Sequence, residues 1–385
     1  MRSADVLVIG AGPAGLHLAR RLTAEGFSTL VFEEHSVIGE PVDCSGVIGA
    51  DGFDGLNLPR GPVIGEVTVL RLVSPGGIGL AYRNGRALAY VMERGRFDQA
   101  LAARAEATGV RIETGAKVTG LKVGSDGVEA TVRRWDPTGS GDGRPTETYR
   151  ARAAVIAAGP RYQAQHFFGM VRPRQLLRTA QAEVAGNGFR EATVLFGPGG
   201  GEFTWVVPFA RGGKDYLRVG AAGGATPGRR LQGLLRGPFS AHLEGHCPPV
   251  RHWVIPLSPI RRTYADRLVA VGDAAGQVKP TSGGGIYYGM LCAQAAAEVL
   301  AEGLRRDHLS ARFLSRYERA WRGRIGADIR AGRLFRRVFE RMTGEEMDAV
   351  FRVLASDGVL EDVAAEARLE LRHPRLSGLL LRKAL

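Results

Sequence analysis

Three glycines and one glutamate near the start of the chain have the residue types and spacing of a nucleotide-binding site. Gly10, Gly12 and Gly15 follow the pattern G-x-G-x-x-G, and Glu33 closes the next apolar run. In such a site the first glycine allows a tight turn, the second lets the backbone approach a pyrophosphate, and the third lets a helix pack closely on a strand. Glu33 can accept hydrogen bonds from a ribose and repels a 2′-phosphate, so we expect an unphosphorylated adenosine, as in FAD or NAD.

The elements that must position these residues occur in the required order of strand, turn, helix and strand. The apolar runs at 6–9 and 29–32 are typical of buried strands, and the periodicity at 16–22 predicts a helix. The N-terminus of that helix offers free N–H groups and a partial positive charge to phosphates. Further predicted cofactor contacts at this end of the chain are Pro13, Ala14 and the alternative ribose ligand Glu34.

A second group of candidate cofactor residues lies in the last third of the chain. An apolar run at 268–271 ends in a glycine and a carboxylate, and a carboxylate at a strand end can bind a polyol hydroxyl. FAD contains a ribitol and NAD does not, although a helix-capping aspartate is the alternative. The glycine run before a helix predicted at 286–304 lets a flat ring lie against bare backbone, where the helix dipole stabilises a reduced flavin. The predicted contacts here are Gly272, Asp273, Pro280, Gly283, Gly284, Gly285 and Ile286.

Two further positions are predicted to belong to the cofactor site. Arg94 begins a helix predicted at 92–108 and can hold the pyrophosphate, and the alternative is a solvated surface arginine. Gly159 follows a buried-strand run at 153–157. Between these cofactor regions we predict a long connection at 34–65, strands at 63–72 and 78–82, and a β-rich antiparallel segment at 180–255.

The composition is that of a globular protein with a basic surface. The chain has 385 residues and a net charge of +13, but it has no nucleic-acid motif, and we expect no nucleic-acid partner. A basic face toward anionic lipid remains open. Cys44, Cys247 and Cys292 have neither a disulfide pattern nor metal-ligand spacing, and we expect no metal site. We therefore expect a cytoplasmic protein without a transmembrane helix, and peripheral contact with the inner membrane face is left open.

Together these signals resemble the FAD-containing proteins of the p-hydroxybenzoate hydroxylase fold, and within that fold the geranylgeranyl reductase family. Three stretches carry the resemblance: 41–46 is similar to the family's Pro-x-x-Cys-small-Gly segment, 203–208 to its Tyr-x-Trp-x-Phe-Pro motif, and 271–286 to its flavin-helix signature. Phe203 replaces the family tyrosine and Val207 the phenylalanine, which leaves the exact prenyl substrate open.

The resemblance implies an FAD-dependent enzyme that reduces isolated carbon–carbon double bonds of a polyprenyl lipid, prenyl diphosphate or quinone side chain. It places Cys44, Ser45 and Gly46 beside the flavin. An isolated alkene accepts a hydride only if a proton reaches its other carbon, and Cys44 is the candidate donor because a thiol stays protonated at neutral pH. A small buried hydrophobe is the alternative for Cys44. The predicted substrate contacts are Phe203, Trp205, Pro208, Tyr287 and Tyr288, with ordinary core packing as the alternative for each aromatic.

Other functions fit the same fold. An aromatic hydroxylase or epoxidase would use O2, a non-redox prenyl cyclase would use reduced flavin only electrostatically, and a flavin-binding protein would have no catalysis. A halogenase needs a lysine facing the flavin, and none is evident in the sequence. Since no second nucleotide-binding motif is present, the electron donor is expected to be transiently bound NADPH or a ferredoxin-like protein. The sequence leaves the oligomeric state open.

The sequence therefore predicts an α/β (α+β) fold with a Rossmann-like FAD-binding domain, an inserted antiparallel β substrate domain and a C-terminal helical region. The predicted limits are 1–65, 92–165 and 256–305 for the FAD-binding domain, 66–91 and 166–255 for the substrate domain, and 306–385 for the helices. The helices are amphipathic, and we expect them to cover the substrate entrance and touch the membrane, or else to pack as a bundle on the flavin domain. The residues on which this expectation rests are Arg333, Leu334, Phe335, Arg336, Arg337, Val338 and Phe339, together with 379–383.

Overall fold

The computed structural model describes nine stretches of the chain. They are residues 2–42, 44–83, 85–134, 146–160, 172–186, 189–199, 201–237, 240–244 and 249–356. Cys247 and the apolar and basic residues at 379–383, which were expected to touch the membrane, lie outside the described residues.

The first sheet has eight strands, and its centre is parallel. Its strands are β1 (Arg2–Ile9), β2 (Thr29–Phe32), β8 (Arg111–Glu113), β9 (Ala116–Val123), β10 (Val128–Arg134), β11 (Glu147–Ile156), β18 (Tyr264–Ala265) and β19 (Leu268–Ala270). The order is β18-β19-β11-β1-β2-β8, with β10 and β9 added to β11 in antiparallel pairing. Val6, Leu7 and Val8 of β1 are fully buried, because helices or strands cover both faces of the sheet.

Seven α-helices complete the described chain, and several of them form the core of the first sheet. They are α1 (Pro13–Ala24), α2 (Ala50–Gly55), α3 (Arg94–Glu106), α4 (Pro227–Arg236), α5 (Ile286–Arg305), α6 (Ala311–Phe339) and α7 (Gly344–Leu354). The largest hydrophobic cluster joins α1, α3, α5 and α6 to one face of the first sheet. No described helix is long and apolar enough to cross a bilayer.

The second sheet also has eight strands and is mostly antiparallel. Its strands are β5 (Val69–Val73), β6 (Gly79–Arg83), β12 (Leu176–Gly186), β13 (Ala192–Phe196), β14 (Phe203–Arg211), β15 (Lys214–Ala222), β16 (Leu243–Glu244) and β17 (Arg251–Pro256). The order is β16-β12-β15-β14-β13-β5-β6, and β17 pairs with β12. Strand alternation gives this sheet two faces. One face packs on α4, and the other carries the residues of the candidate site.

The structure corrects three of the predictions for the connecting segments. The region 34–65 is not an unbroken loop, because it contains α2 and the short strand β3 (Val47–Gly49). The predicted strand 63–72 is two strands in different sheets, β4 (Val63–Val67) and β5, because the chain leaves one sheet for the other at Thr68. β4 pairs with β7 (Ala89–Met92), which in turn pairs with β3 in a separate three-stranded sheet. The segment 180–255 contains the helix α4, which the β-rich composition concealed.

Candidate active site

The glycine turn between β1 and α1 leaves space only on its outer side. Gly10 has φ +106°, and a side chain there would begin 2.5 Å from the carbonyl oxygen of Ala157. A side chain at Gly15 would overlap the carbonyl oxygen of Gly10, so both positions require glycine. At Gly12, by contrast, nothing lies within 4 Å of the side-chain position. This open cradle at a helix N-terminus fits a pyrophosphate.

Glu33 directly follows β2, and its carboxylate is hydrogen-bonded to the glycine turn between β1 and α1. Its carboxylate accepts hydrogen bonds from the backbone N–H of Ala11 and of His35, both at 3.0 Å. Its side chain is 13% exposed, so it can still reach a ligand. Glu34 points elsewhere and pairs with Lys117 at 3.0 Å. The structure therefore favours Glu33 over Glu34 for the ribose contact.

Asp273 lies in the 3-10 turn Gly272–Ala275 that follows β19, and it meets the start of α5. A side chain at Gly285, the residue that caps α5, would begin 2.6 Å from Asp273 Oδ1. Burial raises the pKa of Asp273 to about 6, and the charge of Arg94 opposes this shift. The carboxyl therefore lies beside the glycine run, where the ribitol chain of FAD requires a hydrogen-bonding partner.

Arg94 begins α3 and brings the separate parts of the site together. It forms an ion pair with Asp98 at 2.8 Å, and both side chains are largely buried. Burial lowers the pKa of Arg94, but the charge of Asp98 and a hydrogen bond with the Cys44 thiol outweigh burial and raise it. Because Arg94 also acts on the pKa of Asp273, residues 44, 94 and 273 share one electrostatic environment. The alternative of a solvated surface arginine does not hold, because Arg94 is buried.

The loop that carries Cys44 is held by a buried arginine from the second sheet. Arg218 of β15 is fully buried and donates to the carbonyl oxygen of Ser45 and to that of Met92. Glu183 of β12 balances its charge with hydrogen bonds at 2.5 and 2.8 Å. Burial raises the pKa of Glu183, but Arg218 and Arg211 outweigh it and lower the pKa. Sequence reasoning missed this clamp, because the sequence does not show that the strands of Arg218 and Glu183 are neighbours.

The face of the second sheet that meets this loop carries the side chains of Phe203 and Trp205 on β14. The Trp205 ring covers Gly220 of β15, where any side chain would overlap it. Ile255 on β17 comes within 3.0 Å of the side-chain position of Gly283. We call this side of the second sheet the trough face. The sheet and the predicted flavin loop therefore meet directly.

Not all predicted substrate residues lie on the trough face. Pro208 alternates with Trp205 and Val207 along β14, so its side chain lies on the opposite side of the sheet. Tyr288 is fully buried in the cluster around α1 and α5, and Tyr287 packs against that same cluster. Of the predicted set, the structure brings Phe203 and Trp205 to the trough face.

Lys279 and His17 are two buried basic side chains that differ in the groups around them. Lys279 is 5% exposed, and its Nζ lies 5.8 Å from the centre of the Tyr288 ring, close to the Gly284 backbone. Sequence reasoning missed it because a single lysine in a glycine-rich loop has no pattern. His17 faces the core from α1, and burial, helped by Arg21 and Arg20, lowers its pKa to about 4. His17 is therefore neutral at pH 7.

The residues present fit FAD at both ends of the cofactor. The open cradle at Gly12 suits the pyrophosphate, Glu33 suits the ribose, and Asp273 beside Gly285 suits the ribitol. The trough face adds an apolar surface against the flavin loop, and Gln181 on that face is hydrogen-bonded to the carbonyl oxygen of Cys44. Such an arrangement can hold an apolar substrate against a redox cofactor while keeping water out.

Two family models match parts of the chain. The NAD(P)-binding Rossmann-like domain matches residues 8–56, and the lycopene cyclase protein matches residues 251–353. The first match covers the last two residues of β1, the glycine turn, α1, β2 and the Cys44 loop. The second covers β17 to the greater part of α7 and includes the glycine run.

Curated proteins match nearly the whole chain. The digeranylgeranylglycerophospholipid reductase 2 of Methanothermobacter thermautotrophicus is 31% identical over 369 residues, covering 91% of this chain and 91% of that protein. The digeranylgeranylglycerophospholipid reductase 1 of Methanococcoides burtonii is 30% identical, covering 90% and 86%. Among solved structures, a geranylgeranyl bacteriochlorophyll reductase-like protein from Thermoplasma acidophilum superposes with a TM-score of 0.84 at 20% identity, covering 98% of this chain and 100% of that one. That likeness shows a shared fold.

Proposed function

Because the chain belongs to the digeranylgeranylglycerophospholipid reductase family, we propose that it saturates isolated carbon–carbon double bonds of a polyprenyl lipid. A prenyl diphosphate or the side chain of a quinone is the alternative prenyl substrate. The protein is an FAD-dependent oxidoreductase. The observation that carries the proposed substrate is the trough face, whose Ile255 meets Gly283 of the flavin loop and whose Trp205 ring covers Gly220. A long apolar chain is the ligand that such a surface accommodates best.

The experiment that tests this proposal is mass spectrometry of lipids and quinones from cells that express the protein. We expect a mass gain of two hydrogen atoms for each double bond reduced, and no gain in cells that express Glu33→Arg, which should not retain FAD. Hydroxylated or epoxidised products formed with O2 consumption would replace the reductase with the hydroxylase alternative. Unchanged lipids, together with reduced flavin that no prenyl compound reoxidises, would contradict the enzymatic proposal.

FAD, when bound and reduced, supplies the hydride for this reaction. The residues of the chain have the other tasks: Glu33, Gly12 and Asp273 hold the cofactor, and the trough face positions the alkene and excludes water. The proton must reach the second alkene carbon within the same apolar space. Cys44 is the proposed source, since its side chain interacts with Arg94 and its carbonyl oxygen accepts a hydrogen bond from Gln181 of the trough face.

A comparison of cysteine variants tests the role of Cys44. Cys44→Ala should slow the anaerobic reoxidation of reduced flavin by a geranylgeranyl lipid more than Cys44→Ser does, because serine retains an O–H donor. Cys292→Ala is the matched control, since Cys292 is buried in the hydrophobic cluster that packs on the first sheet. If Cys44→Ala reoxidises flavin at the wild-type rate, the thiol only shapes the pocket.

The electron donor is proposed to be NADPH bound transiently or a ferredoxin-like protein. The described residues contain one glycine turn of the dinucleotide-binding type, and its proposed occupant is FAD. Anaerobic bleaching of the flavin absorbance separates the two donors. NADPH alone should bleach it in the first case, and only a reduced ferredoxin should do so in the second.

A prenyl cyclase is a second candidate function, and the match of 251–353 to the lycopene cyclase model is what favours it. A cyclase needs a bound reduced flavin but transfers no net hydrogen. The two functions therefore differ in product mass: a cyclised product is an isomer of its substrate. The near-complete coverage of the reductases supports reduction as the first candidate.

Peripheral contact with an anionic membrane is proposed for the end of α6, because a prenyl lipid resides in a bilayer. Leu334, Phe335 and Val338 are 57%, 46% and 53% exposed, and Arg337 and Arg341 are exposed close to them. We call these five residues the α6 tip. Apolar side chains beside arginines are the combination that an anionic lipid surface binds.

Two of the residues on which the membrane expectation rested do not belong to this surface. Arg336 is 5% exposed, forms an ion pair with Glu340 at 2.8 Å and donates to the carbonyl oxygen of Gly201. Phe339 is 6% exposed and packs against Phe196. One side of α6 thus packs on the second sheet while the α6 tip faces outward. The side of α6 that carries Arg336 and Phe339 is packed, and the membrane surface is proposed only for the opposite side.

A further inference from the structure

Gln181 on β12 is a buried amide whose nitrogen has a hydrogen-bond partner and whose oxygen has none among the described residues. Its side chain is 7% exposed, and Nε2 donates to the carbonyl oxygen of Cys44 at 3.2 Å. This bond fixes the orientation of the amide, since the opposite orientation would set two acceptors against each other. Oε1 is buried and has no hydrogen-bond partner among the described residues.

Trp205 on β14 has the complementary deficit. Its Nε1 is buried, and within the described chain no acceptor lies in hydrogen-bonding range. The indole ring extends over Gly220, and its Cε2, the atom bonded to Nε1, lies directly above that residue. The donor edge of the ring is therefore at Gly220 and not at the rim of the sheet.

The strand register brings these two atoms into one row of the trough face. Gln181 pairs with Gly220 on β15, and Gly220 pairs in turn with Trp205 on β14. Paired residues of antiparallel strands have their side chains on the same face, and adjacent strands are about 4.8 Å apart. With no side chain at Gly220, the acceptor and the donor face the same space.

We propose that Gln181 Oε1 and Trp205 Nε1 together bind one hydroxylic oxygen, which is either a water molecule or a hydroxyl group of the ligand. Such an oxygen donates to the amide oxygen and accepts from the indole N–H, so it satisfies both groups at once. A carbonyl oxygen can only accept and an ammonium group can only donate, so neither satisfies the pair. Each buried group left unsatisfied would otherwise be destabilising.

The site has a consequence that rests on the proposed function. The proposed oxygen lies on the trough face next to the Cys44 loop, one row of side chains away from the ion pair of Glu183 with Arg218. It provides an exchangeable O–H close to the residue proposed as the proton source. Gln181 and Trp205 are positioning residues in this role, because they hold the oxygen and do not themselves donate the proton.

A double-mutant cycle on the FAD-loaded protein tests the shared occupant without relying on turnover. Gln181→Leu removes the acceptor, and Trp205→Phe removes the donor while keeping an aromatic ring. If one oxygen links them, the double variant should lower Tm by less than the sum of the two single decreases. Thr179→Val combined with Trp205→Phe is the matched control and should be additive, because the Thr179 hydroxyl already donates to the carbonyl oxygen of Trp253 at 3.3 Å.

The indole N–H resonance of Trp205 gives a readout that a purely structural role would not move. In protein labelled with 15N-tryptophan, Trp205→Phe identifies the resonance by its loss. We expect Gln181→Leu to shift that proton resonance upfield as the bound oxygen is lost, and Thr179→Val to leave it in place. An unmoved resonance in Gln181→Leu together with an additive cycle would overturn the proposal.

Crystals of the FAD-loaded protein distinguish the two sources of the oxygen. An oxygen within about 3.2 Å of both atoms in crystals without lipid identifies water. An oxygen present only with a hydroxyl-bearing prenyl lipid identifies a ligand hydroxyl. If neither crystal has an oxygen in contact with both atoms, the proposal is wrong. Because none of these readouts needs catalysis, the proposed reductase activity can fail while this site stands, and the reverse.

Discussion

Asp273, the proposed ribitol ligand, is a buried carboxyl whose charge makes the protein without its cofactor sensitive to pH. Burial raises its pKa to about 6, above its ordinary value of 3.8. Because the folded state then binds the proton more tightly than the unfolded state, the stability of the apoprotein falls as pH rises between about 4 and 6. A residue retained at such a cost is typical of a binding site.

Asp273→Asn should therefore have opposite effects on stability and on FAD binding. We expect the apoprotein variant to melt at a higher temperature than wild type above pH ~6, because the buried charge is removed. Its FAD dissociation constant should rise about tenfold, because a hydrogen bond to a charged acceptor is lost. Asp215→Asn, the same change at an exposed position in β15, should alter neither quantity. A variant that binds FAD as tightly as wild type would remove Asp273 from the ribitol site.

His17 makes the protein sensitive to acid in a defined pH window. Its pKa falls from 6.5 to about 4 on folding, because burial favours the neutral ring. Between these values the unfolded state binds the proton and the folded state does not, so stability is lost as pH falls. The free energy of unfolding should drop by about 2 kcal/mol more in wild type than in His17→Leu between pH ~7 and ~5. Urea denaturation at the two pH values measures this, and equal drops would contradict the buried neutral state.

At the scale of elements, the second sheet depends on one glycine in a strand. Gly220 is a poor strand residue, yet it leaves the space that the Trp205 ring fills. An ordinary strand residue at this position would overlap the indole ring. The same absence of a side chain gives Gln181 and Trp205 a common space.

Gly220→Ala should displace the Trp205 ring and disturb the substrate without affecting the cofactor. The added methyl group would overlap the indole, so the ring must move. We expect a higher KM or reduction of different double bonds, with an unchanged flavin spectrum. Gly233→Ala is the matched control: nothing lies within 4 Å of that position in α4, and alanine should stabilise the helix by about 0.5–1 kcal/mol. Normal turnover by Gly220→Ala would mean that the trough is not the substrate site.

At the scale of the whole molecule, the C-terminal helices α6 and α7 contact both large sheets. Trp321 and Ile325 of α6 belong to the hydrophobic cluster that packs on the first sheet. Later in the same helix, Arg336 donates a hydrogen bond to the carbonyl oxygen of Gly201, beside β14. α7 is tied to the turn between β5 and β6 by Asp348, which accepts hydrogen bonds from Ser74 and Gly76. The α6 tip is left facing outward from this connected body.

Binding to liposomes should depend on the α6 tip. We expect co-sedimentation with anionic vesicles that weakens with salt and is lost in the double variant Arg337→Glu/Arg341→Glu, because charge reversal repels lipid phosphates. Arg319→Glu, the same change at an exposed site earlier in α6, should bind nearly as well as wild type. Equal binding by the two variants, or binding to neutral vesicles alone, would leave the tip without a membrane role.

The sequence by itself determined the nucleotide-binding end of the protein, because that information is local. The spacing of Gly10, Gly12 and Gly15 between a buried run and a helix requires one backbone geometry, and the same holds for the glycine run before α5. The family resemblance also followed from short contiguous stretches. The substrate end was predicted less well: 63–72 was predicted as one strand but forms two, and the helix α4 was missed. Pro208 was grouped with Trp205 as a substrate contact, but the two side chains lie on opposite sides of β14.

Only the tertiary structure decided which distant residues meet. The Gln181–Gly220–Trp205 row exists because β12, β15 and β14 pair in one register, and a shift of one residue would move each side chain to the other face. The clamp of Arg218 on the Cys44 loop joins residues more than 170 positions apart. Arg336 differs from Arg337 only in which side of α6 it occupies. Such pairings depend on the packing of whole sheets and helices, which no local pattern specifies.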